Sequence, residues 1–517
     1  MTTQLQKYLA LQSQGAKADG IEADRKGGAG PSDAKTLLIE GHPLTIPILE
    51  PSATDSPYTL TAGNGDWLLE KQGHALCRAQ SLPAPRFYQG QTGDGIPYHH
   101  IARRHGADTL ASTVVQECFR YNDPRTRCRF CAIGASLDRG TTIHTKTPEQ
   151  LAEVALAAQA LDGIRHVTLT SGTTEDFDSG ALYLGRCAEA VKQATGLPVE
   201  IQFEPLRDKT IYARLKAMGV DDVGIHIESF DPEVRRRMTP GKAATSVEAY
   251  FQAFTEAVAV FGRNKVSTYV ILGLGEDEAL TLECCEAAAA LGVYPFVVPL
   301  RPLPDSYLAN TAAPDPAYLF RMVTAVGKML DAHGLSSSAS TAGCVRCRAC
   351  SPLQFIEGES IAPAPAPHEV ELSIAGTAEQ LAEYYQVRRE IFVLEQGVFQ
   401  DSDKDAHDDE GIPIIALVDG RVAGTVRCYP SGDGVWYGGR LAVRKDYRVG
   451  FDLGVLLVKK AVQIMEARKD VKRFLATIQI QNVRFFQRLG WTCLEESSLI
   501  SGHKHQTMEK KLHEAQP

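Results

Sequence analysis

Six of the twelve cysteines fall into two tight groups, and their spacing is the strongest chemical signal in the chain. Cys118, Cys128 and Cys131 stand in QECFRYNDPRTRCRFCAIGAS at C-x9-C-x2-C. Three thiolates can ligate three irons of a [4Fe-4S] cubane and leave the fourth open to a small ligand, whereas a closed cubane takes four. Tetrahedral zinc is the alternative, but it needs a fourth donor and this segment holds no histidine. Cys344, Cys347 and Cys350 follow at C-x2-C-x2-C in AGCVRCRACSP. A second iron–sulfur cluster is the first reading of that triad, and zinc with a ligand from elsewhere is the second. The other six, Cys77, Cys187, Cys284, Cys285, Cys428 and Cys493, lie in strand-like or helical surroundings and read as small packing hydrophobes.

The elements around the first triad must place it. From residue 109 to about 340 the pattern is strand, loop, helix, repeated: STVVQE, RHVTLTS, VEIQFE, VGIHIES, VSTYVILG and YPFVVPL are short apolar runs, each followed by a helical stretch. Thr147, Pro148 and Gln150 form a capping-box start to LAEVALAAQALDG, and Gly163 ends it. Six such units imply an open parallel sheet or a partial barrel, with ligands at the C-terminal ends of the strands. Cys118 directly follows the first run. Residues 1–108 read as a β-rich extension with a mobile Gly/Ala/Asp-rich start. Residues 109–350 read as the barrel with its terminal cysteine triad, expected near the barrel mouth, and 351–368 as a linker containing APAPAP. Residues 369–517 alternate apolar and polar residues in several strand-like runs, with two amphipathic stretches, and read as a second α/β domain.

A length of 517 residues favours two to four domains, and 44% hydrophobic with 23% charged residues is globular composition. The net charge of -9 supplies no global basic field, so nucleic acid is not the expected partner. No run of 18 apolar residues and no secretory profile is present, which predicts a cytoplasmic protein without membrane contact.

The triad after strand 1 resembles that of radical S-adenosylmethionine (SAM) enzymes, especially the branch of biotin synthase and lipoyl synthase. Their usual spacing is C-x3-C-x2-C, so the first interval here is longer. Ser171, Gly172 and Thr173 stand where that family binds the SAM amino group. Glu228 lies in a segment resembling its ribose-binding one, Glu204 at a strand end offers a further acceptor for ribose hydroxyls, and Gly273 and Gly275 resemble its adenine-binding segment. The whole stretch through Cys350 resembles radical SAM proteins encoded beside nitrilases. The resemblance implies a (β/α)6 partial barrel, a [4Fe-4S] cluster and SAM. It also implies a small-molecule substrate and an electron donor such as flavodoxin or ferredoxin. An Elongator-like tRNA-modifying enzyme, also a radical SAM barrel joined to an acetyltransferase, is the alternative; the acidic charge and the second triad count against it.

VRREIFVLEQGVF, GRLAVRKDYRVGFDLGVLLV and FFQRLGW resemble, in order, three segments of the GNAT N-acetyltransferase fold. The resemblance implies acetyl-CoA, with its pantetheine along Leu441 and Val443 and its pyrophosphate at Arg448, Gly450 and Gly454, a loop stretched by one residue against the family pattern. Glu395 is the candidate general base. Phe486 stands where many relatives have a proton-donating Tyr.

Overall fold

Strands buried on both faces read as continuous apolar runs, and the six barrel runs form such strands. They are β1 (Thr109–Thr113), β2 (His166–Thr170), β3 (Val199–Phe203), β4 (Asp222–Ile225), β5 (Val266–Leu272) and β6 (Val293–Pro299). Each pairs in parallel with the next, in sequence order, and Arg103–His105 pairs antiparallel to β1 at one edge. The computed structural model describes residues 2–18, 20–25, 32–49, 53–62, 66–357, 370–448, 453–500 and 503–512. Two units emerge, Met1–Ala366 and Pro367–Pro517.

The crossover helices begin and end where local chemistry dictates. Thr147 accepts from Gln150 N while the Gln150 side chain accepts from Thr147 N, and Pro148 opens helix Pro148–Asp162; Gly163, in the left-handed region at φ 64°, closes it. Asp277 and Asp315 cap the later helices Glu278–Leu291 and Pro316–Ala332 in the same way. One hydrophobic core runs through the sheet and these helices, with Val154, Ile201, Ile225, Phe254 and Val326 fully buried.

Two expectations need correction. The first run was expected at 112–117, but β1 stops at Thr113, because Val114 and Val115 turn away toward the cysteine loop; Val114 N still donates to Thr170 O, while Val115 bridges Thr145. The chain also opens on a helix, Thr2–Gln14, which buries Leu5, Tyr8 and Leu9 at helical spacing. A six-stranded sheet follows it, in the order Lys17–Ala18, Tyr58–Ala62, Trp67–Lys71, His74–Ser81, Ala34–Ile39, His42–Pro47. This region is packed onto the barrel unit: Tyr8 stacks on Phe355 at 4.2 Å, and the Gln12 side chain donates to Ala349 O at 3.1 Å. Most of the expected mobile start falls on described residues; 26–31 lie outside them, as does the APAPAP run.

Pro367–Pro517 holds a seven-stranded sheet in the order Val370–Ile374, Ile412–Val418, Arg421–Pro430, Val435–Val443, Arg473–Gln479, His503–Lys510, Thr492–Ile500. All neighbours are antiparallel except Val435–Val443 and Arg473–Gln479. These two pair in parallel only from Val435 to Gly438, so Gly439–Val443 leaves its partner and opens a wedge.

Replacing Thr147 by Ala removes the acceptor for Gln150 N. It should cost about 1 kcal/mol, read as a lower denaturation midpoint of the barrel unit with helix content otherwise intact.

Candidate functional site

A cavity of about 470 Å³ runs inside the barrel unit, and both cysteine triads reach it. Cys118, Cys128 and Cys131 line it together with Ser171, Gly172, Thr173, Glu204 and Glu228; Cys344 and Cys350 line it as well.

The Cys118–Cys131 loop is pinned from several sides. Phe119 N donates to Thr173 O at 3.1 Å, Gly172 N to Val115 O at 2.8 Å, Arg129 N to Met238 O at 2.8 Å and Tyr307 N to Arg129 O at 2.9 Å. Arg127 donates to Cys131 O and Asp305 O and lies over the Tyr121 ring at 3.9 Å. Gly172 has a structural reason to be glycine: a Cβ there would collide with Glu117 O and the Cys118 backbone. The turn after β2 and the cysteine loop therefore touch backbone to backbone. Burial pushes the Cys131 thiol up to about 11 and raises that of Cys128 as well.

Two carboxylates stand just past neighbouring strands. Glu204, after β3, accepts from Arg120 and from Thr173 Oγ1 at 2.6 Å. Glu228, after β4, accepts from Lys242 Nζ at 2.6 Å while its second oxygen has no protein partner. Glu228 also sits at φ 63°, an unusual backbone for a non-glycine residue. Burial works against charge on Glu204, but Lys242 and Arg120 hold its pKa below the ordinary carboxylate value; on Glu228 burial wins and the pKa rises. A carboxylate with one free, buried oxygen suits the hydroxyls of a ribose. Gly273 and Gly275 do not line the cavity. They take φ 104° and 90°, and Gly273 N and Leu274 N donate to the Glu276 carboxylate at 2.7 Å each, so this turn is held by its own acid.

Sequence reasoning passed over several groups in and around the cavity. Lys242 and Arg120, the cations that keep Glu204 charged, carry no motif, and only proximity reveals them. His226 receives a hydrogen bond on Nδ1 from Tyr269 N, leaving Nε2 to carry the proton, and burial followed by Lys242 lowers its pKa to about 3. It is neutral at physiological pH. Lys146 is buried with carbonyl partners, Ile143 O and Gln116 Oε1, and burial brings its pKa to about 7. Arg235 is buried against Tyr250 and donates to Lys242 O and Thr245 O.

The second triad lies elsewhere than expected. It was expected near the mouth of the barrel, yet it sits under the N-terminal ends of the strands: Gly343 N donates to His166 at the start of β2, Cys344 N to Glu200 in β3, and Ala342 N to Asp222 at the start of β4. The reason is topological. Helix Pro316–Ala332 runs back against the direction of β6, so the chain that follows it emerges at the opposite end of the barrel from the first triad. Gln202 donates to Cys344 Sγ at 3.3 Å, and His105 Nε2 lies 3.3 Å from Cys350 Sγ. Burial opposes charge on His105, but the facing Cys347 and Cys350 raise its pKa well above the usual imidazole value. Among the described residues no three His, Cys, Asp or Glu side chains close on a single ion. Of the remaining cysteines, Cys187, Cys285 and Cys428 are buried, Cys77 and Cys284 half-buried and Cys493 exposed.

In the C-terminal unit Leu441 and Val443 stand on the part of the strand that has left its partner, Gly454 lies in the first turn of helix Leu453–Glu466, and Gly450 is outside the described residues. Arg448 and Glu395 form a two-pronged ion pair at 2.6 Å on the surface. That pairing lowers the Glu395 pKa, which removes basicity instead of adding it. Phe486 is buried edge-on against Trp491. The fully buried Arg388 holds Asp403 and Asp408, and Arg427 with Arg440 holds Asp405, so these charges are spent on each other.

Comparison with known proteins agrees with this architecture. Residues 122–285 match the radical SAM superfamily model, and residues 378–491 match that of the GNAT acetyltransferase family. A bacteriochlorophyllide c C-7(1)-hydroxylase of Chlorobaculum limnaeum is 23% identical over 333 residues, 60% of this chain and 80% of that protein. The uncharacterized N-acetyltransferase YjcF of Bacillus subtilis is 29% identical over 138 residues, 26% of this chain and 96% of its own length. The crystal structure of Escherichia coli ElaA is 20% identical, with 28% of this chain and 99% of that chain covered at a TM-score of 0.25. The chain joins a radical SAM domain to a GNAT acetyltransferase domain, and it is an enzyme. No helix among the described residues is long and apolar enough to cross a membrane.

Lys242→Met strands the buried Glu228 carboxylate and should destabilise the barrel unit by about 3 kcal/mol. Adding Glu228→Gln should recover much of that loss, and a denaturation double-mutant cycle reads the coupling.

Proposed function

We propose that the barrel unit holds a [4Fe-4S] cluster on Cys118, Cys128 and Cys131, binds SAM beside it, and removes a hydrogen atom from a small molecule in the cavity. The observation that carries this reading is the convergence on one cavity of three thiols, the Ser171–Thr173 turn and the two strand-end carboxylates Glu204 and Glu228. The donor set fits: three thiols would ligate three irons and leave one iron position free for the amino and carboxylate groups of SAM. When bound, this pair supplies reductive cleavage of SAM to methionine and a 5′-deoxyadenosyl radical that abstracts hydrogen.

The chain's own residues bind, orient and shield. Thr173 and Arg120 fix the Glu204 carboxylate, and Lys242 fixes that of Glu228, so each acid meets a ribose hydroxyl without reorganising. Tyr269 and His226 pack edge to face at 4.5 Å and form a rigid inner wall. Thr36 and Thr45 of the N-terminal sheet line part of the cavity wall. The relative named as a hydroxylase of a bacteriochlorophyllide supports attack at a carbon–hydrogen bond as the reaction type. A low-potential protein of the flavodoxin or ferredoxin class is the electron donor in this reading.

Cys344, Cys347 and Cys350 hold a second iron–sulfur cluster at the other end of the cavity. The C-terminal unit takes acetyl-CoA, with pantetheine in the wedge opened at Gly439–Val443 and the pyrophosphate against Arg448 and the start of helix Leu453–Glu466. Arg448 must release Glu395 to do so.

Anaerobically reduced protein given SAM should yield 5′-deoxyadenosine by mass spectrometry, and Cys118→Ala, Cys128→Ala or Cys131→Ala should each reduce the yield to background. Retained cleavage in any of the three overturns the assignment. Acetyl-CoA binding by calorimetry should weaken roughly tenfold or more in Arg448→Ala, the effect of about 1.4 kcal/mol, and strengthen in Glu395→Gln, which frees the guanidinium.

A further inference from the structure

The second triad has a neighbour that no motif announces. Strand Arg103–His105 runs antiparallel to β1 at the sheet edge and ends at the base of the cavity. There His105 Nε2 lies 3.3 Å from Cys350 Sγ, and Cys347 Sγ donates to His105 O at 3.9 Å. The backbone is shaped around this meeting. At Gly106 (φ 59°) a Cβ would stand 2.6 Å from Cys347 Sγ, so the strand's turn can approach the thiol only as glycine. On the opposite side Gly343 leaves no room for a Cβ against the Glu200 carboxylate, which also receives Cys344 N. Between Cys347 and Cys350 the chain reverses through Arg348, at φ 64°. From outside, Gln12 and Thr45 N both donate to Ala349 O, so the N-terminal helix and sheet seal the loop.

We infer that His105 is the fourth protein ligand of this centre, which thereby becomes a closed Cys3His iron–sulfur cluster. The inference rests on the reading of Cys344, Cys347 and Cys350 as cluster ligands. Three thiolates and one imidazole nitrogen occupy the four corners of a cubane, and imidazole is an established replacement for thiolate at cluster iron. The sealed loop argues in the same direction, since the fourth donor is already in the wall and no outside ligand needs to enter. Two ends of one cavity then differ in kind. The centre on Cys118, Cys128 and Cys131 has an open iron, and the centre on Cys344, Cys347, Cys350 and His105 does not, so a substrate between them can lie against the second centre without coordinating it.

The test uses the full chain with Cys118, Cys128 and Cys131 replaced by Ala, purified anaerobically, so that only the second centre contributes. Iron and acid-labile sulfide should both be present, and pulsed electron paramagnetic resonance of the reduced centre should show the nitrogen coupling of a directly bound imidazole. In this background His105→Ala and His105→Cys should both lose that coupling. His105→Cys should keep iron and sulfide near the parent level, because it restores a fourth thiolate, and it serves if the Ala variant does not fold. A cluster that shows no nitrogen coupling in the parent, or keeps it in His105→Cys, overturns the role of His105 alone. A parent protein without iron and sulfide, or with zinc in their place, overturns the second cluster and this inference with it.

Discussion

Six barrel strands running in one direction give the cavity two chemically unlike ends, and the rest of the barrel unit follows from that constraint. At the strand C-termini the loops are free to vary, and they bring the first cysteine triad, the glycine turn after β2 and the acids after β3 and β4 to one place. At the N-termini the chain arrives once more after the last crossover helix has run back, and what it brings is the second triad. A sheet of antiparallel strands would have interleaved the two sets. The parallel one separates them along the length of a single cavity.

That space is polar where it meets the first triad, and its polarity is maintained by pairing. A carboxylate taken out of water costs several kcal/mol unless a cation or hydrogen-bond donors face it. Lys242 and Arg120 answer Glu228 and Glu204, and the pairing is unequal: Glu204 has both cations acting on it, whereas Glu228 keeps one oxygen without a protein partner. The unpaired oxygen is the more informative feature, since a folded chain leaves few buried acceptors unused unless a ligand completes them.

The C-terminal unit shows the reverse economy. Its most buried charges, Arg388, Asp403, Asp408 and Arg427, satisfy one another and hold the 403–408 segment against the sheet, which is structural work. Glu395, the candidate base, and Arg448, the candidate pyrophosphate ligand, are exposed and neutralise each other. Phe486 has become a core residue against Trp491. The wedge beside Gly439–Val443 persists nonetheless, because it arises from backbone pairing that stops after Gly438 and does not depend on any of these side chains.

Composition and local pattern alone determined the six parallel strands, the capped helix at Thr147 and the two cysteine triads, because strand burial, helix capping and ligand spacing are all properties of neighbours in sequence. The C-terminal strands were legible for the same reason, as was the identity of most cavity-lining residues named from the resemblance. Tertiary structure alone decided which end of the barrel each triad occupies, and it brought Lys242 to Glu228, Arg120 to Glu204 and His105 to Cys350 across separations of 14, 84 and 245 positions. It also made Gly172, which lines the cavity, a point where two backbones touch, and left Gly273 and Gly275 out of the cavity wall. Those outcomes depend on the path of the chain through space, and a buried charge or a thiol finds its partner by that path whatever the distance along the sequence.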